Sequence, residues 1–292
     1  MPGIVLECAQ FGDFDSFDVI RSLTSMVGLT DSALPPPIAT GLLTMYYVDT
    51  TVVEGGTYYY KFRVWRDGVA LVSDEIAIEA IDGKVISFMN FENGNFDYLG
   101  EWLQQGGANI TNSISRFGAY SLDLSGVGNG KYIRAINSTR FDFKAENFSI
   151  ELSAYLLSSG GFHTFLSKRE NNGVNESFSF FYFSGYIFFD YTTDGSSVKQ
   201  FITSVTLPLN TWFDLQLIRD NDILKLGMNG VELSRFNIGT DIIFTSTVNA
   251  VIGQLNAVLS GGYIDGYIDE LRVTKGYARQ IAVKSAPFIF TG

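Results

Sequence analysis

Alternation of aromatic and polar residues, broken by glycine-containing turns, constrains this chain more than any other feature. Tyr58, Tyr60, Phe62 and Val64 alternate with Tyr59, Lys61, Arg63 and Trp65. Side chains of period two lie on opposite sides of an extended strand, so one set is buried and the other exposed. Asp67-Gly68 follows, and both residues tolerate the positive φ that a tight hairpin requires. Residues 45–52, 57–66 and 69–80 therefore read as successive strands. The same grammar continues at 147–156, 176–183, 186–193, 199–205, 212–218, 223–228 and 266–273, with turns at Asp194-Gly195, Asp220-Asn221-Asp222 and Asn229-Gly230.

Helical periodicity is weak by comparison. Phe17 to Val27 is the best short helix candidate, and it reads equally well as strand plus loop. Leu34 to Ile38 is extended, because its successive prolines lack donors and bias their neighbours away from helix. No repeat of propeller or solenoid period and no sustained heptad is present. The expectation is an all-β chain of 292 residues, long enough for two domains with real cores.

Charge divides the chain at about the same place as the strand pattern does. Residues 1–83 hold 12 acidic and 4 basic side chains, and residues 84–292 hold 19 and 16. An acidic first module is suited to a basic protein surface, or simply to solubility. No basic stripe exists, which argues against nucleic acid as a partner. No stretch approaches the roughly 18 apolar residues of a membrane span, and the first 15 residues lack the basic and apolar regions of a secretory signal. Cys8 is the one cysteine, so an intramolecular disulfide is excluded.

Two stretches carry a resemblance. Gly55-Gly56-Thr57-Tyr58-Tyr59-Tyr60, the strand that it opens, and the closing Ser73-Asp74-Glu75-Ile76 strand resemble a fibronectin type III-like (Ig-like) module. The resemblance covers roughly residues 14–80 of a domain set at 1–83. Beyond it, Phe88 to Asp97, Arg116 to Leu124 and Phe141 to Phe143 with Phe148 to Glu151 resemble successive motifs of a laminin G-like, concanavalin A-like jelly roll. Asn210 to Phe213 with Ile218 to Asp220 and Leu226 to Val231 resemble its hairpin, and Gly266 to Arg279 its closing motif. That places a β-sandwich over residues 84–292. The form Thr274-Lys275-Gly276-Tyr277-Ala278-Arg279 is similar to copies found in phage tail and particle proteins, although Gln280 departs from their usual Tyr.

Glucanases of this fold carry a Glu-x-Asp-x-x-Glu set whose two carboxyls stand about 5 Å apart, and no such spacing occurs here. In the nearest cluster, adjacent Asp269 and Glu270 are expected to face opposite ways, and Asp265 lies about 13 Å from Asp269 along an ideal strand. His163 is the one histidine, expected in a loop or at an edge, so a His-rich metal centre is excluded. No enzyme is expected. The resemblance implies that calcium is the one ion to consider, with Asp190, Asp194, Asp220 and Asp222 as candidate oxygen ligands; no other cofactor is expected.

Carbohydrate binding is the sharpest expectation. Flat aromatic faces take sugar C–H surfaces beside groups that bond hydroxyls. Trp102, Tyr182, Tyr186 and Tyr191 are the candidates, with Trp102 in a loop-like stretch and Trp212 expected in the core. The resemblance implies a bacteriophage virion component, capsid decoration or tail-fibre protein, assembled in the host cytoplasm. The first module would dock on other virion proteins and the jelly roll would be displayed in many copies toward surface glycans. Two rivals remain, a structural cement or spacer without a glycan ligand and, behind it, a polysaccharide hydrolase.

Overall fold

A computed structural model describes residues 4–7, 13–44, 46–53, 56–80, 84–92, 97, 99, 102–126, 130–136, 138–170, 173–255 and 261–288. Cys8 and residues 81–83, the first part of the boundary expected at 81–87, lie outside these, and residues 84–87 belong to a strand. The chain divides into two compact units, residues 1–82 and 83–292. Among the described residues there is no α-helix, only short 3-10 turns between strands.

Among the described residues the first unit has seven strands: β1 (Ile4–Glu7), β2 (Ser16–Ser22), β3 (Pro37–Leu42), β4 (Tyr46–Asp49), β5 (Thr57–Arg66), β6 (Val69–Val72) and β7 (Ile76–Glu79). The segment that reads as either helix or strand is strand β2 followed by a loop. Alternation explains this: Phe17 and Val19 point into a core with Tyr58, Tyr60 and Phe62, while Asp18 accepts from Trp65 Nε1 at 2.9 Å. The sheet order is β3-β2-β5-β6. β7 pairs with the first half of β5 and β6 with its second half, while β1 and β4 form a separate ribbon. Buried Asp49 is held by Arg21 at 2.7 Å and by the Tyr60 hydroxyl at 2.8 Å.

The second unit is a sandwich of two large antiparallel sheets. Its strands are β8 (Lys84–Met89), β9 (Trp102–Gln105), β10 (Asn109–Thr111), β11 (Ser121–Asp123), β12 (Tyr132–Ala135), β13 (Phe148–Leu156), β14 (Phe162–Lys168) and β15 (Phe178–Phe183). They continue as β16 (Tyr186–Thr192), β17 (Val198–Ser204), β18 (Trp212–Asp220), β19 (Ile223–Met228), β20 (Val231–Asn237), β21 (Val251–Ile252) and β22 (Gly266–Lys275). One sheet runs β10-β11-β22-β13-β18-β19-β20, with β8 beside the second half of β22, making eight strands. The other runs β17-β16-β15-β14-β21-β12-β9. Ile150, Leu152, Phe213 and Leu215 from the first meet Phe165, Phe180, Phe189 and Ile252 from the second in one core.

Candidate carbohydrate-binding face

The outer face of the seven-stranded sheet follows from the same period-two rule. On β15, Phe178, Phe180 and Tyr182 enter the core, which turns Ser179, Phe181 and Phe183 outward. On β16, Ile187, Phe189 and Tyr191 enter the core, leaving Tyr186, Phe188 and Asp190 outside. Strand pairing lines these up in rows: Phe162, Phe183, Tyr186 and Ser204; then Thr164, Phe181, Phe188 and Ile202; then Ser167, Ser179, Asp190 and Gln200.

Five rings thereby form a continuous platform. Phe162 stacks on Phe183 with centroids 4.1 Å apart and tilts against Phe181 at 5.6 Å. Phe181 stacks on Phe188, and Tyr186 lies 6.3 Å from Phe188. Phe181 is buried beneath its neighbours, whereas Tyr186 is 45% exposed and Phe183 36%.

The third row is polar. Gln200 donates to Asp190 at 2.9 Å, and Arg169 bridges Asp190 at 3.4 Å and Glu176 at 2.7 Å. Burial raises the Asp190 pKa above the usual carboxylate range, against the pull of Gln200 and Arg169. Asp190, Arg169 and Glu176 line a shallow depression of about 10 Å³ together with Ser177, Thr192 and Val198. Pockets that bury drug-sized ligands start near 300 Å³, so this face suits a ligand lying on the surface.

The structure places the predicted aromatics differently from one another. Tyr186 is on the platform. Tyr182 and Tyr191 are corrected to core residues; the Tyr191 hydroxyl donates to Asp241 at 2.9 Å. Trp102 is corrected as well: it opens strand β9 opposite Ala135, so alternation turns it inward. It is 7% exposed, donates to Asp97 at 2.9 Å and packs against Phe141. Trp212 moves the other way, half-buried on the outer face of the eight-stranded sheet and outside the core.

Phe181, Phe183 and Phe188 were missed as functional candidates because Phe180 to Phe183 and Ile187 to Phe189 offer no polar contrast. The usable signal was Ser179 and Asp190, the polar residues that mark which side faces out.

The four candidate calcium ligands are not brought together. Asp190 is engaged as above. Asp194 accepts the amides of Ser196 at 2.8 Å and Ser197 at 2.7 Å, which hold its pKa below the usual range. Asp220 pairs with Lys225 at 2.6 Å, and the Asp222 carbonyl accepts the amides of Ile238 and Gly239. Among the described residues no three or more His, Cys, Asp or Glu side chains gather as a metal site.

The acids of the closing strand are arranged differently from expectation. A bulge sets Glu270 and Leu271 opposite Leu152, with Glu270 at φ +52°, and this breaks the alternation that was to separate Asp269 from Glu270. Burial pushes Asp269 up to about 7, and the nearby Glu270 charge adds to the rise. Asp269 accepts the amides of Arg116 at 2.8 Å, Phe117 at 3.3 Å and Glu270 at 2.7 Å; Glu270 accepts that of Phe288, and Asp265 that of Gly126 at 2.9 Å. His163 is corrected from a loop or edge position to the sandwich interior, where Asp265 N–H donates to its Nδ1 at 3.4 Å.

Residues 127–280, more than half of the chain, match the family described as the concanavalin A-like lectin/glucanases superfamily. The chain belongs to that superfamily. Among solved structures this superfamily member is similar to the receptor binding domain of botulinum neurotoxin C/D mosaic serotype. That match has a TM-score of 0.51 and 17% identity, over 66% of this chain and 48% of that one. It is similar to a botulinum neurotoxin type C structure (TM-score 0.51, 15% identity, 67% and 49% covered) and to the binding domain of botulinum neurotoxin DC (0.50, 16%, 67% and 49%). The chain spans about half the length of these structures. At such identity the likeness concerns the fold. No curated protein sequence matches the chain.

Proposed function

We propose that the second unit is a non-catalytic lectin-like module that binds surface glycans on the outer face of its seven-stranded sheet. One observation carries this: the exposed Tyr186 and Phe183 rings continue a stacked platform that borders the Asp190, Gln200 and Arg169 row. Rings accept the C–H face of a sugar, and the polar row accepts and donates to its hydroxyls. The carboxylates that were the nearest candidates for bond cleavage are occupied by backbone amides.

Proteins of similar fold support the reading by analogy. Cell entry of botulinum neurotoxin type C depends on interaction with two ganglioside molecules, and the binding domain of neurotoxin DC is recorded in complex with SialylT.

On this reading the module is displayed on a bacteriophage particle. The fibronectin type III-like first unit, net −8, docks on a basic virion protein, and many copies multiply weak contacts. The phage-type Thr274 to Arg279 motif supports that setting. A second reading, particle cement without a glycan ligand, draws on the phenylalanine content of the platform, since exposed apolar patches also mark protein interfaces.

A glycan array with the intact chain and the Phe183→Ser/Tyr186→Ala variant separates the readings. Binding lost in the variant supports the lectin role, and silence of the intact chain across bacterial and host glycans sinks it. Immunogold labelling of purified particles tests the virion setting.

A further inference from the structure

The eight-stranded sheet has an outer face of its own, and its two ends differ. Residues 276–288 run as a strap over part of it, from Ser149 on β13 across to Gly230 beyond β19, where a Cβ would stand 2.5 Å from Val283 Cγ2. The Ser149 hydroxyl donates to the Tyr277 carbonyl at 3.3 Å, Ala282 N–H donates to Gln216 at 3.1 Å, and Lys284 donates to Ser153 at 3.2 Å. Ile281 lies so close to β19 that a Cβ at Gly227 would stand 2.7 Å from its Cγ2.

Past Ser153 the outward residue changes character. Two positions further along β13 is Tyr155, which registers with Tyr267 on β22 and with Trp212 on β18. The Tyr155 ring lies 5.6 Å from Trp212 and 6.0 Å from Tyr267, inclined at 60° and 71°. Gly266 allows this approach of the strands, since a Cβ there would stand 2.1 Å from the Tyr155 carbonyl oxygen.

All three rings are half-buried and none belongs to the core. The row crosses three neighbouring strands, about 10 Å at the usual strand spacing. Among the described residues Trp212 Nε1 is buried without a hydrogen-bond partner, so the ring offers its face and edge rather than its N–H.

Charges beside the row are already matched. Asp123, in register with Tyr267, pairs with Lys131 at 2.9 Å. Asp214, two residues after Trp212, pairs with Arg116 at 3.1 Å and accepts from Ser153 at 2.7 Å. Tyrosine and tryptophan faces suit the C–H surface of a pyranose, while matched ion pairs give an acidic sugar no cation of its own.

We propose that the Tyr267–Tyr155–Trp212 row is a second glycan site, for neutral saccharides, on the sheet opposite the Phe183–Tyr186 platform. It rests on the lectin reading for its ligand class and on separate residues for its location.

Titration calorimetry of the full chain with maltotetraose, cellotetraose and chitotetraose, and with sialyllactose as acidic probe, tests it. Expected is a neutral probe whose affinity falls roughly tenfold or more in Tyr155→Ala/Trp212→Ala while Phe183→Ser/Tyr186→Ala leaves that component intact. Trp212→Phe keeps the ring, removes the N–H and weakens the same component less, which guards against a misfolded double variant. Loss confined to the platform variant overturns the second site and leaves the lectin reading standing. Loss confined to the row variants for every probe that binds, with no component lost in the platform variant, overturns the platform and leaves the row standing. Preference of the row for sialyllactose overturns its neutral specificity, and no binding of any probe overturns both readings.

Discussion

Phe181 and Phe188 lie face to face on the outer side of the seven-stranded sheet, centroids 4.9 Å apart and planes 4° from parallel. Phe181 is 5% exposed, so it is the floor of the platform, and Tyr186 is its accessible edge. Stability and binding should therefore separate. Phe181→Ala is expected to cost about 3 kcal/mol in urea unfolding, the range for a large ring removed from a packed site. Tyr186→Ala should stay within about 0.5 kcal/mol while weakening glycan binding. Equal loss of stability in both variants would contradict this division.

Lys168 follows the inward parity of β14 and donates to Asp142, both buried at one end of the core. Burial pushes the lysine pKa down and the carboxylate opposes it. Lys168→Met should destabilise by about 3–5 kcal/mol, because it leaves a buried carboxylate without its cation. The double variant Lys168→Met/Asp142→Leu should recover most of the loss. Denaturant melts of the two singles and the double measure that coupling.

Asp269 gives the fold a pH dependence of definite sign. Its folded pKa of about 7 lies above the ordinary value of 3.8. The folded state therefore holds a proton that the unfolded state has released between those limits, and stability falls as pH rises through the window. The drop is on the order of 4 kcal/mol at most, at 1.36 kcal/mol per unit. Asp269→Asn should flatten the slope of melting temperature between about pH 4 and 7. An unchanged slope would assign the effect to another group.

Chelation should leave the second unit unmoved. Asp194 is engaged by two amides and Asp190 by Arg169 and Gln200, so neither carboxylate is left waiting for a cation. Equal melting temperatures with EDTA and with millimolar calcium are expected from differential scanning calorimetry. A rise with calcium would point to a site built from other oxygens.

How far the sequence could be read depended on where polar residues interrupted apolar ones. β5 was legible because Lys61 and Arg63 punctuate its aromatics, and β2 became a strand once Asp18 was seen to alternate with Phe17 and Val19. β15 was legible as a strand but not in its facing, since Phe180, Phe181, Tyr182 and Phe183 offer no contrast beyond Ser179. Trp102 misled for a different reason: glycine and glutamate before it suggest a loop, and only pairing with β12 shows the ring turned inward. The Glu270 bulge was invisible because strand rules assume uniform alternation. The Tyr155–Trp212 contact joins residues 57 apart, and its register depends on pairings that local pattern does not set.

β22 is central in its sheet, bonded to β13 along one edge and to β11 and β8 along the other, yet it spans Gly266–Lys275. The sandwich cannot close around its middle until that stretch has left the ribosome. The first unit has no such dependence, since its pairings lie within residues 4–79. Synthesis should therefore yield an early-folded leading unit tethered to a trailing one whose assembly waits for long-range pairing, the slow class of folding transition.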